Sequence, residues 1–311
     1  MTPHKTKQYL IVVGQLLLLI GIGLYGYQSI STGSASLTRL TGLFGTYSHL
    51  ESWSLMVLCL LPSLLQWMLE AKKWQLLARP ILPLSWHQAL RQSLQAQAVA
   101  LLTPMKIGEY GAKALFFQSA QRKQVLKQTL LGNAIQAFVT FVFGLLGALL
   151  LLISSASLPF LSKGLLAGVV LLCVFIYIAS KKPFQSSGNH WRILALASVR
   201  YLLFSTQFIL LLLFFGLQLS FQQLLGSVYL MYLLSSLVPF LQIFDVALRG
   251  GTALVLLTTL GAPPESVLLA VFIAWLSNTL VPSLVGGLLK WHIPPRRNTL
   301  AYKMATSAWK S

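Results

Sequence analysis

The sequence predicts an all-α polytopic membrane protein, with about six transmembrane helices and two re-entrant helical hairpins arranged as an inverted repeat. Three observations lead there. Of the 311 residues 56% are hydrophobic and 9% charged, with a mean hydropathy of +0.74, whereas about a quarter of the residues of soluble domains are charged. Apolar runs of about 18 residues or more, the length that crosses a bilayer, recur along the whole chain. Between them lie two interrupted regions that share one pattern of proline, carboxylate and base.

The composition excludes an ordinary cytosolic globule, and no internal polar stretch is long enough for a folded extramembrane domain. The whole chain therefore reads as one integral membrane domain, 1–311, with repeat-like halves at about 53–155 and 190–290. Twenty-three Lys and Arg against five acids give a formal charge of +18. In a soluble protein that excess would point to nucleic acid. Here the basic residues sit in short segments between apolar runs, so the positive-inside bias accounts for them and no nucleic-acid partner is expected. Cys59 and Cys173 lie inside apolar runs and read as packing residues.

Taken in order, the first run, 9–27, follows Lys5 and Lys7 and has no Ala-x-Ala pattern after it, so it reads as a retained helix rather than a signal peptide. The second span is 53–69, and Glu70, Lys72, Lys73, Arg79 and Arg91 then mark a basic loop. The third runs over 129–153, the fourth over 165–178, the fifth over 193–215 and the sixth over 266–289. A cytoplasmic amino terminus puts the loops after spans two and four and the carboxyl tail on one side, where most of the basic residues lie. The opposite loops carry few, Arg39 and Lys163 among them. Trp53, Trp191 and Trp291 near segment ends fit either interfacial anchors or lipid-facing bulk.

The interrupted regions are 93–117 and 221–260. The first holds Pro104, Gly108, Glu109, Gly111 and Lys113; the second holds Pro239, Asp245, Arg249, Gly250 and Gly251. In each, a proline ends an apolar half-helix, an acid follows five or six residues later, and a base sits four beyond the acid. Proline removes a backbone donor and disfavours helix at the residue before it, so both regions should break and turn back. Backbone freed at that depth needs protein or water beside it, which implies a cavity. With three spans between them, one hairpin enters from each side, and the tips meet near the midplane. An ionised group at the bilayer centre costs about 3 kcal/mol, so Glu109, Lys113, Asp245 and Arg249 must be paired or hydrated. Three readings stay open: the pairs lock the hairpins, they line a pocket for a charged head group, or one region is a full span with its charges at an interface.

Arg200 sits about two turns into the fifth span, close enough to the interface to snorkel, yet an unpaired guanidinium there also suits a carboxylate or a phosphate. Gln66, Asn133, Gln136, Gln207 and Asn278 read chiefly as hydrogen-bonding groups between helices. All five histidines fall in loops or tails, and no His-x-x-x-His or Cys-x-x-Cys pair occurs, so neither a metal nor another cofactor is expected. No phosphate-binding glycine loop, serine nucleophile motif or carboxylate dyad stands out, and the chain does not read as an enzyme.

The stretch Glu-Ala-Lys-Lys-Trp-Gln-Leu-Leu at 70–77, followed by Leu-Leu-Thr-Pro-Met-Lys-Ile-Gly-Glu-Tyr-Gly-Ala-Lys at 101–113, resembles the flippase-like family named for the transmembrane region of lysylphosphatidylglycerol synthase. In that family a basic-Trp element after the second helix precedes a Pro-x-x-x-Gly-Glu-x-x-x-Arg/Lys signature. The likeness covers nearly the whole chain in layout but only about 25 residues in motif. It implies movement of a lipid or lipid-linked head group between leaflets of a bacterial inner membrane, with Pro104, Gly108, Glu109 and Lys113 as the signature. Asp245 and Arg249 depart from the family's Gly-rich, Glu-containing second region. No counterpart of the synthase's aminoacyl-transfer domain lies within these residues, so lysyl transfer is not implied. The expectation is a lipid translocator whose candidate binding residues are Glu109, Lys113, Asp245, Arg249 and Arg200 and whose partners are membrane lipids. The rival is a non-transporting accessory scaffold for a glycosyltransferase or another envelope-lipid enzyme.

Overall fold

The computed structural model describes residues 49–104, 106–154, 190–238 and 242–291, together with Leu24 and Gly168. The expected first and fourth spans, Arg39, Lys163, Cys173 and the carboxyl tail lie outside the described residues, as does Pro239. Those described form helices α1 (His49–Ala78), α2 (Trp86–Leu101), α3 (Ile107–Leu115), α4 (Arg122–Ser154), α5 (His190–Phe214), α6 (Phe221–Leu237), α7 (Asp245–Thr258), α8 (Pro264–Trp275) and α9 (Val281–Leu288). A π turn, Leu276–Leu280, joins α8 to α9. Four stretches are long and apolar enough to cross a membrane: Ser54–Ala78, Ser119–Ser154, His190–Phe214 and Pro264–Leu288. The protein is thus all-α and built to sit in a bilayer.

The basic loop expected after residue 69 is instead a continuation of α1 to Ala78. From Glu70 the chain runs through good helix formers and meets no breaker before Pro80, and Glu70 and Lys73 pair one turn apart at 2.7 Å. At about 1.5 Å per residue α1 is about 45 Å long, well beyond the hydrocarbon thickness, so its last two turns carry charge without needing a loop. Pro62 interrupts its hydrogen-bond ladder from within. Arg91, also assigned to that loop, lies in α2. There its guanidinium and Gln95 Nε2 donate to the backbone oxygen of Lys290, just past the end of α9.

Both interrupted regions are helix, break, helix, as expected. The helix before each break starts with the same device: Ser85 caps α2 with Gln88 reaching back, and Ser220 caps α6 with Gln223 doing the same. Each cap stands 19 residues before the proline of its region, Pro104 or Pro239. The element order repeats as well: long helix, two short ones, then a long one, in α1–α4 and again in α5–α9. Contacts between the halves are reciprocal. α1 lies along α5, α4 along α6, and α9 along α2.

These contacts are close because glycines face them. A Cβ at Gly147 of α4 would stand 2.7 Å from the carbonyl oxygen of Gly226 in α6, and one at Gly286 of α9 would collide with the Leu94 carbonyl in α2. Around the α4–α6 seam, Tyr201, Phe143, Tyr229, Phe204 and Tyr232 form a continuous aromatic cluster, Phe143 stacked on Tyr201 and the other contacts edge to face. Trp291 stacks on Phe116 with centroids 5.2 Å apart, while Trp191 is 81% exposed as an interfacial anchor would be.

Two glycines of the first interrupted region differ in consequence. A Cβ at Gly108 would meet Thr103 Oγ1 at 2.7 Å and the Val99 carbonyl oxygen at 2.8 Å, whereas nothing lies within 4 Å of one at Gly111. Gly147→Val and Gly108→Ala should each lower the melting temperature in detergent, the former by the equivalent of about 2 kcal/mol of overpacking. Gly111→Ala should leave it level or raise it through helix propensity. A stable Gly147→Val would mean that the seam is looser than described.

Candidate functional site

The two breaks face one cavity of about 540 Å³. It is walled by Gln66 and Glu70 of α1, Asn133 and Gln136 of α4, Arg200 of α5 and Asn278 of the π turn. Trp67 of α1 and Ser93 and Gln97 of α2 line it too, and the breaks with their short helices add Lys106, Glu109 and Lys113 on one side and Val238, Gln242, Asp245 and Arg249 on the other. All five predicted binding residues, Glu109, Lys113, Asp245, Arg249 and Arg200, therefore line the same space.

After each break the acid lies in the first turn of the short helix and the base one turn on. Lys113 Nζ is 2.7 Å from Glu109 Oε1, and Arg249 Nη2 is 2.6 Å from Asp245 Oδ2. An acid at a helix N-terminus with a base four residues later suits both the helix dipole and the pair itself. Each base also lies against an aromatic ring: Lys113 Nζ is 4.4 Å from the centroid of Trp74, and the Arg249 guanidinium carbon 5.3 Å from that of Tyr232. Gly250 and Gly251 are buried in α7 behind this pair.

Glu70 is the residue that the sequence reading left in a loop. It is 6% exposed and stands at the centre of the cations: Lys73 at 2.7 Å, Arg200 Nη1 at 3.2 Å, and Lys113 at 3.9 Å. Arg200 thus turns inward to a carboxylate rather than snorkelling outward. The signal that could have found this is the Glu70/Lys73 spacing on a helix with no breaker.

The amides form an ordered relay behind the charges. Arg200 Nε donates to Gln66 Oε1, Gln66 Nε2 to Asn278 Oδ1, Asn278 Nδ2 to Gln207 Oε1, and Gln207 Nε2 to Ser277 Oγ. Asn133 Nδ2 donates to Glu109 Oε2 at 3.2 Å, and Gln136 accepts from Arg200. Among the described residues, no three of His, Cys, Asp and Glu gather into a metal-binding group. The chemistry on offer is electrostatic: a polar chamber among apolar helices, lined by ion pairs.

The other residue that sequence reasoning did not single out is Lys106. It caps α3 in the left-handed region at φ 56°, the one non-glycine residue with positive φ among those described. It is exposed and lines the cavity. A left-handed lysine costs about 1 kcal/mol or more, and no local sequence pattern announces it.

Glu70→Gln should be the most damaging charge removal in the chain. It leaves the buried Lys73 and the half-buried Arg200 without their carboxylate, at a cost of about 3–5 kcal/mol. Asp245→Asn breaks a pair whose side chains are 19% and 26% exposed, and about 1 kcal/mol is expected. Melting in detergent measures both, and equal losses would remove Glu70 from its central place. Compared with family models, characterised proteins and solved structures, the chain matches none of them.

Proposed function

We propose that this chain moves the head group of an amphiphilic lipid between the leaflets of a bacterial inner membrane. In this reading the described spans are joined by two more at about 9–27 and 165–178, both termini are cytoplasmic, and the helix breaks are re-entrant tips entering from opposite sides. The observation that carries it is the convergence of both breaks, with their acid–base pairs, on one cavity enclosed by apolar helices. Ionisable groups held at such a place are expensive, and pathways for polar cargo are where membrane proteins keep them. The repeated element order and reciprocal contacts of the halves fit alternating exposure of a central site. The resemblance of 101–113 to the flippase-like signature supports the same cargo class.

The head group enters the chamber while the acyl chains stay in lipid. Lys113, Arg249 and Arg200 can meet its phosphate, and Glu109 and Asp245 balance their charge or receive an amine. Lys113 and Arg249 are each paired with a carboxylate of their own helix. Phosphate contact therefore requires those pairs to loosen, which lets cargo and gate share one set of charges.

Reconstitution with fluorescent lipids in both leaflets tests this. Wild-type protein should equalise label between leaflets, and Glu109→Gln and Lys113→Met should each slow the movement about tenfold, the worth of one charge-assisted hydrogen bond. No movement by the wild type rules out translocation and favours the accessory-scaffold reading. Normal movement by both variants removes these residues from the pathway.

A further inference from the structure

The cavity holds more positive charge than its own carboxylates can answer. Glu70, Glu109 and Asp245 line it, and the bases on it or bonded to those acids are Lys73, Lys106, Lys113, Arg200 and Arg249. That is five bases against three acids, an excess of two. The chain cannot supply the difference from elsewhere, because it contains only five acids in all. Of the other two, Glu51 lies in the first turn of α1, 19 residues and so about 28 Å along the helix from Glu70, and Glu265 in the first turn of α8 does not line the cavity.

The unanswered charge has an address. Lys113 and Arg249 sit within 2.7 Å of their own carboxylates, and Lys73 within 2.7 Å of Glu70. Arg200 shares Glu70 with Lys73 and Lys113, and Lys106 makes no ion pair or side-chain hydrogen bond among the described residues. A second, independent observation has the same sign. Five buried polar atoms on residues lining the cavity have no hydrogen-bond partner: Trp67 Nε1, Ser93 Oγ, Arg249 Nε, Gln242 Oε1 and Glu70 Oε2, the last already in ion pairs with Lys73 and Arg200. Three of them are donors, and Trp67 and Ser93 are 9% and 4% exposed. Such a surplus of donors and cations in a partly desolvated chamber is complementary to an acceptor-only, multiply charged ligand.

We infer that the cavity is a receptor for a phosphate monoester head group, with Lys106 and Arg200 as its principal cations and Trp67 Nε1 and Ser93 Oγ as neutral donors. A monoester carries about −1.5 to −2 at neutral pH, which matches the excess of two, while a phosphodiester carries only about one charge and leaves a cation unanswered. This deepens the translocation reading by naming its cargo class and shares its cavity. The strained backbone at Lys106 fits the assignment. Lys106 stands at the break itself and lines the chamber, and strain of this kind persists where function holds it.

Native mass spectrometry of the full chain in detergent, with phosphatidic acid, phosphatidylglycerol, phosphatidylcholine or inorganic phosphate added, tests the inference. Phosphatidic acid should be retained about tenfold or more over phosphatidylglycerol, and more still over phosphatidylcholine. Lys106→Gly should abolish that preference while keeping the fold, because glycine adopts the left-handed conformation freely. Lys106→Arg should preserve it. Equal retention of the three lipids, or a preference untouched by Lys106→Gly, overturns the inference. Inorganic phosphate bound with phosphatidic acid excluded overturns the lipid as its source. The same lipids in the leaflet assay separate the two proposals. Selective binding of phosphatidic acid without any transbilayer movement ends translocation and leaves the phosphate receptor standing. Unselective binding with equal movement of all three lipids ends the receptor and leaves translocation.

Discussion

Glu70 answers Lys73, Arg200 and Lys113 from one carboxylate, and the polar interior depends on that sharing. Bringing a cation into a low-dielectric interior costs several kcal/mol, which an opposite charge repays only in good geometry. By reaching α1, α3 and α5 together, this carboxylate lets three elements converge that would otherwise repel. It joins the long helices to the short helix α3, so the packing of the apolar shell and the composition of the chamber are set by the same atoms. The amide relay from Gln66 to Ser277 extends the connection to the π turn without adding charge.

The two breaks solve one backbone problem in two ways. Each frees peptide groups, and each is followed by a short helix whose first turn carries an acid. At the first break Thr103 Oγ1 accepts from Gly108 N and itself donates to the Val99 and Ala100 carbonyls, so a side chain stitches it. In the second, a 3-10 turn, Gln242–Phe244, leads into α7 and packs on α2 of the other half. The first pair is buried under Trp74, while the second, beside Tyr232, keeps part of its surface exposed. The halves are alike in order and unlike in how deeply their pairs are buried.

Much of this was legible in the sequence for a local reason. Pro104 and Pro239 act on their own backbone neighbours, and an acid and a base four apart pair on any helix, so the breaks and the Glu109–Lys113 and Asp245–Arg249 contacts follow from short-range chemistry. Residues whose roles depend on distant partners were not legible. Glu70 and Lys73 follow the apolar run directly, and charge after such a run looks like a loop until Arg200, 130 positions on, is known to meet it. Lys106 has no local signal because its left-handed conformation is imposed by the hairpin. Gly111 illustrates the opposite failure. It recurs in the motif, yet open space surrounds it. The matching caps at Ser85 and Ser220, each followed by an aromatic residue and a glutamine, were a readable sign of the repeat that composition-based reading passes over.

The π turn at Leu276–Leu280 fixes the phase of everything that follows it. A π turn takes in one residue more than an α turn, and one residue corresponds to about 100° of rotation. That offset sets Ser277 and Asn278 toward Ser63, Gln66 and Gln207 while Gly286, two turns on, still faces the α2 backbone. A chain shortened by one residue here could keep its polar contacts or its tight seam, but not both. Insertions and deletions in this segment are therefore constrained far more tightly than substitutions of its side chains.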